Sequence, residues 1–146
     1  GEKVLFPLDY SGLYSRERFL KVGGFDAAIA TPWWQLLDFG FRAWLRGEEL
    51  RSVQALRLVY EEDPPSFDTD SGPDYRRFHL RNLAPVLSGD SAHLPWSRFP
   101  SFALRSGRSP SGAFAEFREA RAWVGANAWH FKTDARALLD LWEPLS

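Results

Sequence analysis

The chain contains neither cysteine nor methionine. Without cysteine it can form no disulfide and no thiolate metal site, a composition that fits a reducing compartment and points to the cytoplasm. Without methionine, a chain that opens at Gly1 has no translation start and is expected to be a cut piece or a processed product. A surplus of either charge sign is also missing. Eighteen Lys and Arg stand against 19 Asp and Glu, which offers no field for a polyanion and argues against a nucleic-acid partner. No apolar run approaches the roughly 20 residues of a spanning helix, and no basic start leads into an apolar leader, so no membrane span is expected. Phosphate-cradling glycine motifs and the Gly-x-Ser-x-Gly of serine hydrolases are absent. The three histidines, His79, His93 and His130, have no ligand spacing.

Aromatic residues, in contrast, are plentiful. Seven Trp and twelve Phe supply core, and such rings also suit sugar faces, whose C–H surfaces stack on them. A length of 146 residues fits one domain, and 45% hydrophobic with 25% charged residues is the make-up of a globular chain.

Local patterning predicts an α+β fold, mostly helical with a few strands. Residues 4–14 alternate loosely around Pro7 and read as an edge strand. Ser15 as N-cap and Gly23 as stop bracket a short helix over 16–22, with Phe19, Leu20 and Val22 on its buried side. Thr31 and Pro32 open a longer helix over 33–46, in which Trp34, Leu37, Phe41, Trp44 and Leu45 form one apolar face and Gly47 ends the run. Leu56, Leu58 and Tyr60 alternate within a predicted strand over 49–61, followed by a loop rich in acids and prolines. Pro73 opens a helix to about Leu83. Residues 88–111, dense in glycine, proline and serine, are expected to be an irregular linker. A helix over about 112–131 and a last one capped by Thr133 complete the chain. This divides it into 1–87, the linker 88–111, and a helical extension 112–146.

The segment 11–47 is hard to explain by folding alone. It runs from Ser11-Gly12 through a helix carrying Arg16 and Phe19 to Gly23-Gly24-Phe25-Asp26. Paired tryptophans follow, and then Gln35-Leu36-Leu37-Asp38-Phe39-Gly40-Phe41-Arg42. That order resembles the acceptor-side half of family 2 glycosyltransferases and their relatives with the GT-A fold. Their pattern passes from Gly-Gly-Phe-Asp to Glu-Asp-x-Asp-Leu-x-x-Arg. The resemblance spans about residues 7–65 and implies a nucleotide-sugar donor, a sugar acceptor or glycan, and a divalent Mg or Mn ion in the full-length enzyme. The nucleotide-binding half that carries the family's metal-binding Asp-x-Asp is not visible here.

In the family a carboxylate of the Glu-Asp pair is the usual general base, and a base must be ionisable and within reach of the acceptor proton. Gln35 and Leu36 cannot serve. Asp38 and Asp26 remain as candidates for that role. The acceptor site implied by the resemblance comprises Asp26, Trp33, Trp34, Asp38 and Arg42. Each also has a plain structural reading. Asp38 and Arg42 could be a solvated i,i+4 pair worth about 0.3–0.5 kcal/mol, and Asp26 an Asx-turn residue. Trp33 and Trp34 point about 100° apart at a helix start, so that one is core and the other an exposed sugar platform. Asp68-Thr69-Asp70 is a literal Asp-x-Asp, the hard oxygen chemistry that holds a divalent cation. Its place in a proline-rich loop after the acceptor helix makes a solvated acidic loop the better reading, and no metal site is assigned to the segment.

The resulting expectation is the C-terminal portion of a glycosyltransferase, inactive alone, whose donor site lies in a missing N-terminal half. Apolar surface left by that half would favour self-association. The rival reading is a non-catalytic carbohydrate- or protein-binding module on the same scaffold. A third is a structural α+β domain whose aromatics are all core.

Overall fold

Ser15 and Gly23 close the two ends of the first helix, α1 (Arg16–Val22), in the computed structural model of the protein, which describes residues 1–7, 9–52 and 72–141. The Ser15 hydroxyl accepts the Arg18 N–H at 3.5 Å. Gly23 and Gly24 follow with φ of 97° and 64°, left-handed values that side chains with a Cβ rarely adopt. Two such residues in succession turn the chain sharply into Phe25 and Asp26. The buried residue of α1 is Val22, and Phe19 is half-buried. Leu20, expected inside, is 56% exposed.

Helix α2 (Pro32–Leu45) begins at the predicted proline, but Thr31 makes no side-chain cap. Its N–H is instead bound by the Asp74 carboxylate at 2.8 Å. The single apolar face expected of this helix is also too narrow a description. Leu36, Phe39 and Ala43 are buried along with Trp34, Phe41, Trp44 and Leu45, so α2 is the central helix and is covered on nearly all sides. Gly40 is where the N-terminal segment crosses it. A Cβ there would stand 2.5 Å from the Leu5 carbonyl oxygen and 2.6 Å from the Phe6 Cα.

Among the described residues of 4–14 the expected N-terminal strand does not form; one antiparallel bridge, Lys3 to Arg51, stands just before them, flanked by Val4 N–H to Leu50 O and Ser52 N–H to Glu2 O. Pro7 lacks a ladder donor, and Val4 is held by α2 rather than by a sheet, since Trp44 Nε1 donates to its carbonyl at 2.9 Å. Most of the strand predicted over 49–61, and the acidic loop with Asp68 and Asp70, lie outside the described residues.

Helix α3 (Pro73–Phe78) continues as one wide turn of π-helix, His79–Leu83, and so covers the predicted helix. A hairpin follows, β1 (Val86–Ser88) and β2 (Ser91–His93), with Val86 opposite His93 and Ser88 opposite Ser91. Its two-residue loop starts with Gly89 at φ 62°, as a tight hairpin turn favours. Then come a 3₁₀ turn, Trp96–Arg98, and helix α4 (Phe99–Ser106), stopped by Gly107 in the left-handed region. The stretch 88–111 is thus not an irregular linker. Its prolines and glycines punctuate short elements, and Ala92, Leu94 and Phe102 bury their side chains.

Helix α5 (Pro110–Ala126) is capped by Ser109 and ends earlier than predicted, with a 3₁₀ turn at Ala128–His130. Helix α6 (Ala135–Asp140) is capped by Asp134, whose carboxylate accepts the Ala137 N–H at 3.0 Å; Thr133, the expected cap, does not do this. The other Asp134 oxygen takes the Leu87 N–H at 3.2 Å, fastening the hairpin to α6.

One apolar cluster joins α2, α3 with its π turn, β2, α4, α5 and α6. Ile29, Trp34 and Phe41 meet Phe78 and Leu80, then Leu94, Phe102, Phe117, Val124, Phe131 and Leu138. The three expected divisions of the chain therefore share a core, and the molecule is a mostly helical α+β fold. A smaller cluster of Val22, Phe39 and Ala43 sits under the glycine bend, extended by Phe19 and Phe25. Among the described residues no helix is long and apolar enough to cross a membrane.

Candidate functional site

Asp38, Arg42 and Arg46 lie four residues apart on α2 and at its end, so their side chains stack along one face that looks toward the glycine bend. This row is internal. Asp38 is 1% exposed and Arg42 6%, which removes the solvated-pair reading. The Arg42 guanidinium donates to Asp38 Oδ2 through Nη2 at 2.6 Å and through Nε at 3.2 Å. Its Nη1 donates to the carbonyls of Val22 at 2.9 Å and Gly24 at 2.8 Å. Carbonyls left without N–H partners by the left-handed turn are thus satisfied by a charged donor. The geometry makes Arg42 a pin between helix and bend.

Asp38 has its second oxygen occupied as well. Asn82 donates to Oδ1 at 2.8 Å and to the Phe78 carbonyl at 3.1 Å. That reach comes from the π turn, whose extra residue rotates Asn82 toward α2. Arg46 makes the next set of bonds, to the Lys21 and Val22 carbonyls and, through Nη2, to Asn127 on the far wall at 3.0 Å. Burial lowers the Arg46 pKa from its ordinary value, and the neighbouring Arg42 charge lowers it further.

Asp26 is half-buried at the mouth. Its Oδ2 accepts Arg77 Nε at 2.6 Å, and Oδ1 accepts the Ala28 N–H at 3.0 Å, which is the Asx-turn geometry. Burial raises its pKa. The Arg77 hydrogen bond, the Ala28 N–H and the charges of Arg77 and Arg81 outweigh that, so the carboxyl is held below its ordinary value. A carboxylate of lowered pKa is a poor proton acceptor at neutral pH and a good fixed hydrogen-bond acceptor.

These groups surround a cleft of about 260 Å³ between the bend, α2, the π turn and α5. Asp26, Asp38 and Arg42 all line it. Joining them are residues the sequence reading missed: Arg46, Arg81, Trp123 and Asn127. Two of these pairs carried a local signal, since Arg42 with Arg46 and Trp123 with Asn127 are i,i+4 neighbours. Only packing shows that the two faces oppose each other.

Trp33 and Trp34 are not in the cleft. Trp34 is 9% exposed among Tyr75 and Phe78. Trp33 is half-buried, edge-on to Phe6 at 5.3 Å, where the N-terminal segment covers the side expected to be open. Neither forms an exposed platform. Gln35, at the position of the family's acid, holds the loop instead, donating to the Asp26 carbonyl at 2.8 Å and the Ile29 carbonyl at 3.2 Å. Leu36 is core. Among the described residues no group of three His, Asp or Glu is placed to hold a metal ion.

The cleft presents polar groups of both signs and one ring. Asp26 offers a fixed acceptor, Arg42, Arg46 and Arg81 offer cationic donors, and Trp123 a ring. No protein-family model matches the chain, and no curated protein or solved structure matches it either.

Proposed function

We propose that this chain forms the acceptor-side wall of a glycosyltransferase with the GT-A architecture, and that it holds a sugar or glycan acceptor in the cleft beside the glycine bend without transferring sugar by itself. The observation that carries this reading is the convergence of Asp26, Asp38 and Arg42. They belong to one sequence motif spanning 17 positions, and they line one cleft. In this reading Arg42 and Asp38 keep the bend in shape, Asp26 accepts a bond from a sugar hydroxyl, and the nucleotide-sugar donor, with any Mg or Mn ion, is bound by residues other than these.

A non-catalytic binding module on the same scaffold is the second reading, favoured by Gln35 and Leu36 in place of acids and by the lowered pKa of Asp26. Both readings require the cleft to take carbohydrate. Ala27 is exposed at its rim and makes a suitable plug position. On a glycan array the wild-type chain should retain a defined subset of glycans, and Ala27→Trp, with an unchanged melting temperature, should lose them. Equal retention by both proteins would remove the cleft from the account. Turnover of a nucleotide sugar by the 146-residue chain would overturn the non-transferring part.

A further inference from the structure

Arg81 is the unexplained member of the cleft. It is half-buried on the π turn, its guanidinium carbon 4.6 Å from the centroid of the Trp123 ring. Among the described residues it makes no hydrogen bond and no ion pair, so the five N–H donors of the fork are unengaged. Every acid close by is otherwise committed or out of reach. Asp26 is bonded to Arg77 and Asp38 to Arg42. Glu119 acts on Arg81 only through its field. Arg46, across the cleft, likewise bonds carbonyls and an amide but no carboxylate. The lining holds Arg42, Arg46 and Arg81 against Asp26 and Asp38, one positive charge in excess, and Arg77, bonded to Asp26 from outside the lining, adds a second. This local surplus sits in a chain whose net charge is −1.

Stacking on an indole face fixes the plane of a guanidinium and leaves its edge free, which is the arrangement that receives a planar or tetrahedral oxyanion through two parallel bonds. Arg81 also borders a second recess of about 230 Å³ on its other side, where Arg76 and Arg108 converge on the single carboxylate of Glu116. That recess is lined by four arginines, Arg81 included, against the two carboxylates of Asp74 and Glu116. Burial, then the Arg77 charge, lower the Arg81 pKa by more than the charges of Asp26, Asp38 and Glu119 raise it.

We propose that the cleft is specific for an anionic acceptor, a sugar bearing a phosphate or a carboxylate, with Arg81 forming the bidentate contact and Arg46 supplying the second charge. This rests on the sugar-receiving reading of the same cleft, and the probes separate the two ideas. Glucose 6-phosphate, glucuronate, glucose and inorganic phosphate are titrated into the whole chain by calorimetry at low and moderate salt. Glucose 6-phosphate or glucuronate should bind at least tenfold more tightly than glucose and weaken with salt. Whichever of the two wins identifies the anion as phosphate or carboxylate. Arg81→Gln should lower that affinity at least tenfold, and Arg81→Lys should recover part of it. Ala27→Glu, which sets a carboxylate at the exposed rim without touching an internal bond, should have the same effect as Arg81→Gln should that variant fold poorly. Inorganic phosphate binding as tightly as the sugar phosphate, still dependent on Arg81, would keep the anion site and remove the sugar. Glucose binding as tightly as its charged derivatives, with no loss in Arg81→Gln or Ala27→Glu, would overturn the anion proposal and leave the carbohydrate reading standing. Absence of saturable binding by every probe would overturn it as well.

Discussion

Replacing Arg42 by Met tests whether the row on α2 is the internal pin described here. Met fills most of the Arg42 volume but removes three things together: the charge facing Asp38, the two bonds to Asp38 Oδ2, and the donor shared by the Val22 and Gly24 carbonyls. Val22 O keeps its bond from Arg46; Gly24 O loses its charged donor. Asp38, 1% exposed, would keep only Asn82. Breaking a buried pair on one side costs about 3–5 kcal/mol because a charge is left uncompensated. Removing Arg42 also relieves its repulsion of Arg46, which places the expectation at the lower end, about 3 kcal/mol. For a chain of this size that is a fall of roughly 6–12 °C in melting temperature. Asp38→Leu should cost a similar amount. The double variant, with neither charge left buried, should cost less than the sum of the two by about 2 kcal/mol or more. Urea denaturation of the four proteins gives the coupling directly. A coupling of about 0.5 kcal/mol or less, the size of an exposed helical pair, would refute the reasoning.

Further outcomes follow from the packing and from burial. Gly40→Ala should destabilise by about 1–3 kcal/mol despite the better helix propensity of Ala, because the new methyl meets Leu5 and Phe6 backbone. Gly125→Ala, exposed on α5 with nothing within 4 Å, should stabilise by about 0.5–1 kcal/mol, and thermal melts of the pair would reverse that order only if the crossing is wrong. Asp134→Ala should cost about 1–2 kcal/mol through the lost α6 cap and the Leu87 bond, with Thr133→Ala near neutral; equal losses would contradict the cap assignment. Burial, then the charges of Arg98 and Arg105, lower the His79 pKa, and among the described residues its buried Nδ1 has no hydrogen-bond partner, so the folded state favours neutral imidazole. Stability from this group is complete above the ordinary His value of about 6.5 and is lost as pH falls below it toward the depressed folded value. His79→Phe should remove that step from a pH series of melts, while the loss below about pH 4 from Asp26 and Asp74, both held low, should remain.

Much of the helical framework was legible because its signals are local. Ser15 and Gly23 act on the chain within a few residues, and Pro32 and Pro73 each open a helix where the missing N–H costs nothing. Punctuation misled in 88–111, where one buried Phe102 is enough to dock a short helix that glycine and proline content alone would call loop. Asp38 and Arg42 were found through their spacing after the bend, yet their burial was not legible. An acid and an arginine look the same in sequence whether they face water or the Val22 and Gly24 carbonyls. The cover over Trp33 is not legible for a related reason, since it comes from Phe6, 27 positions away. Arg81 carries no signal in sequence, because its significance lies in having Trp123 beneath it and, among the described residues, no ion-pair partner.

A titration of the ¹⁵N-labelled chain with glucose and glucose 6-phosphate, followed by amide and indole resonances, tests the cleft most directly. Saturable shifts should concentrate on Gly23 to Ala27, the Trp123 indole and the residues around Arg46 and Arg81, and should vanish in Ala27→Trp. Shifts centred on Trp33, Trp34 or any other surface, or none at saturating sugar, would contradict the account.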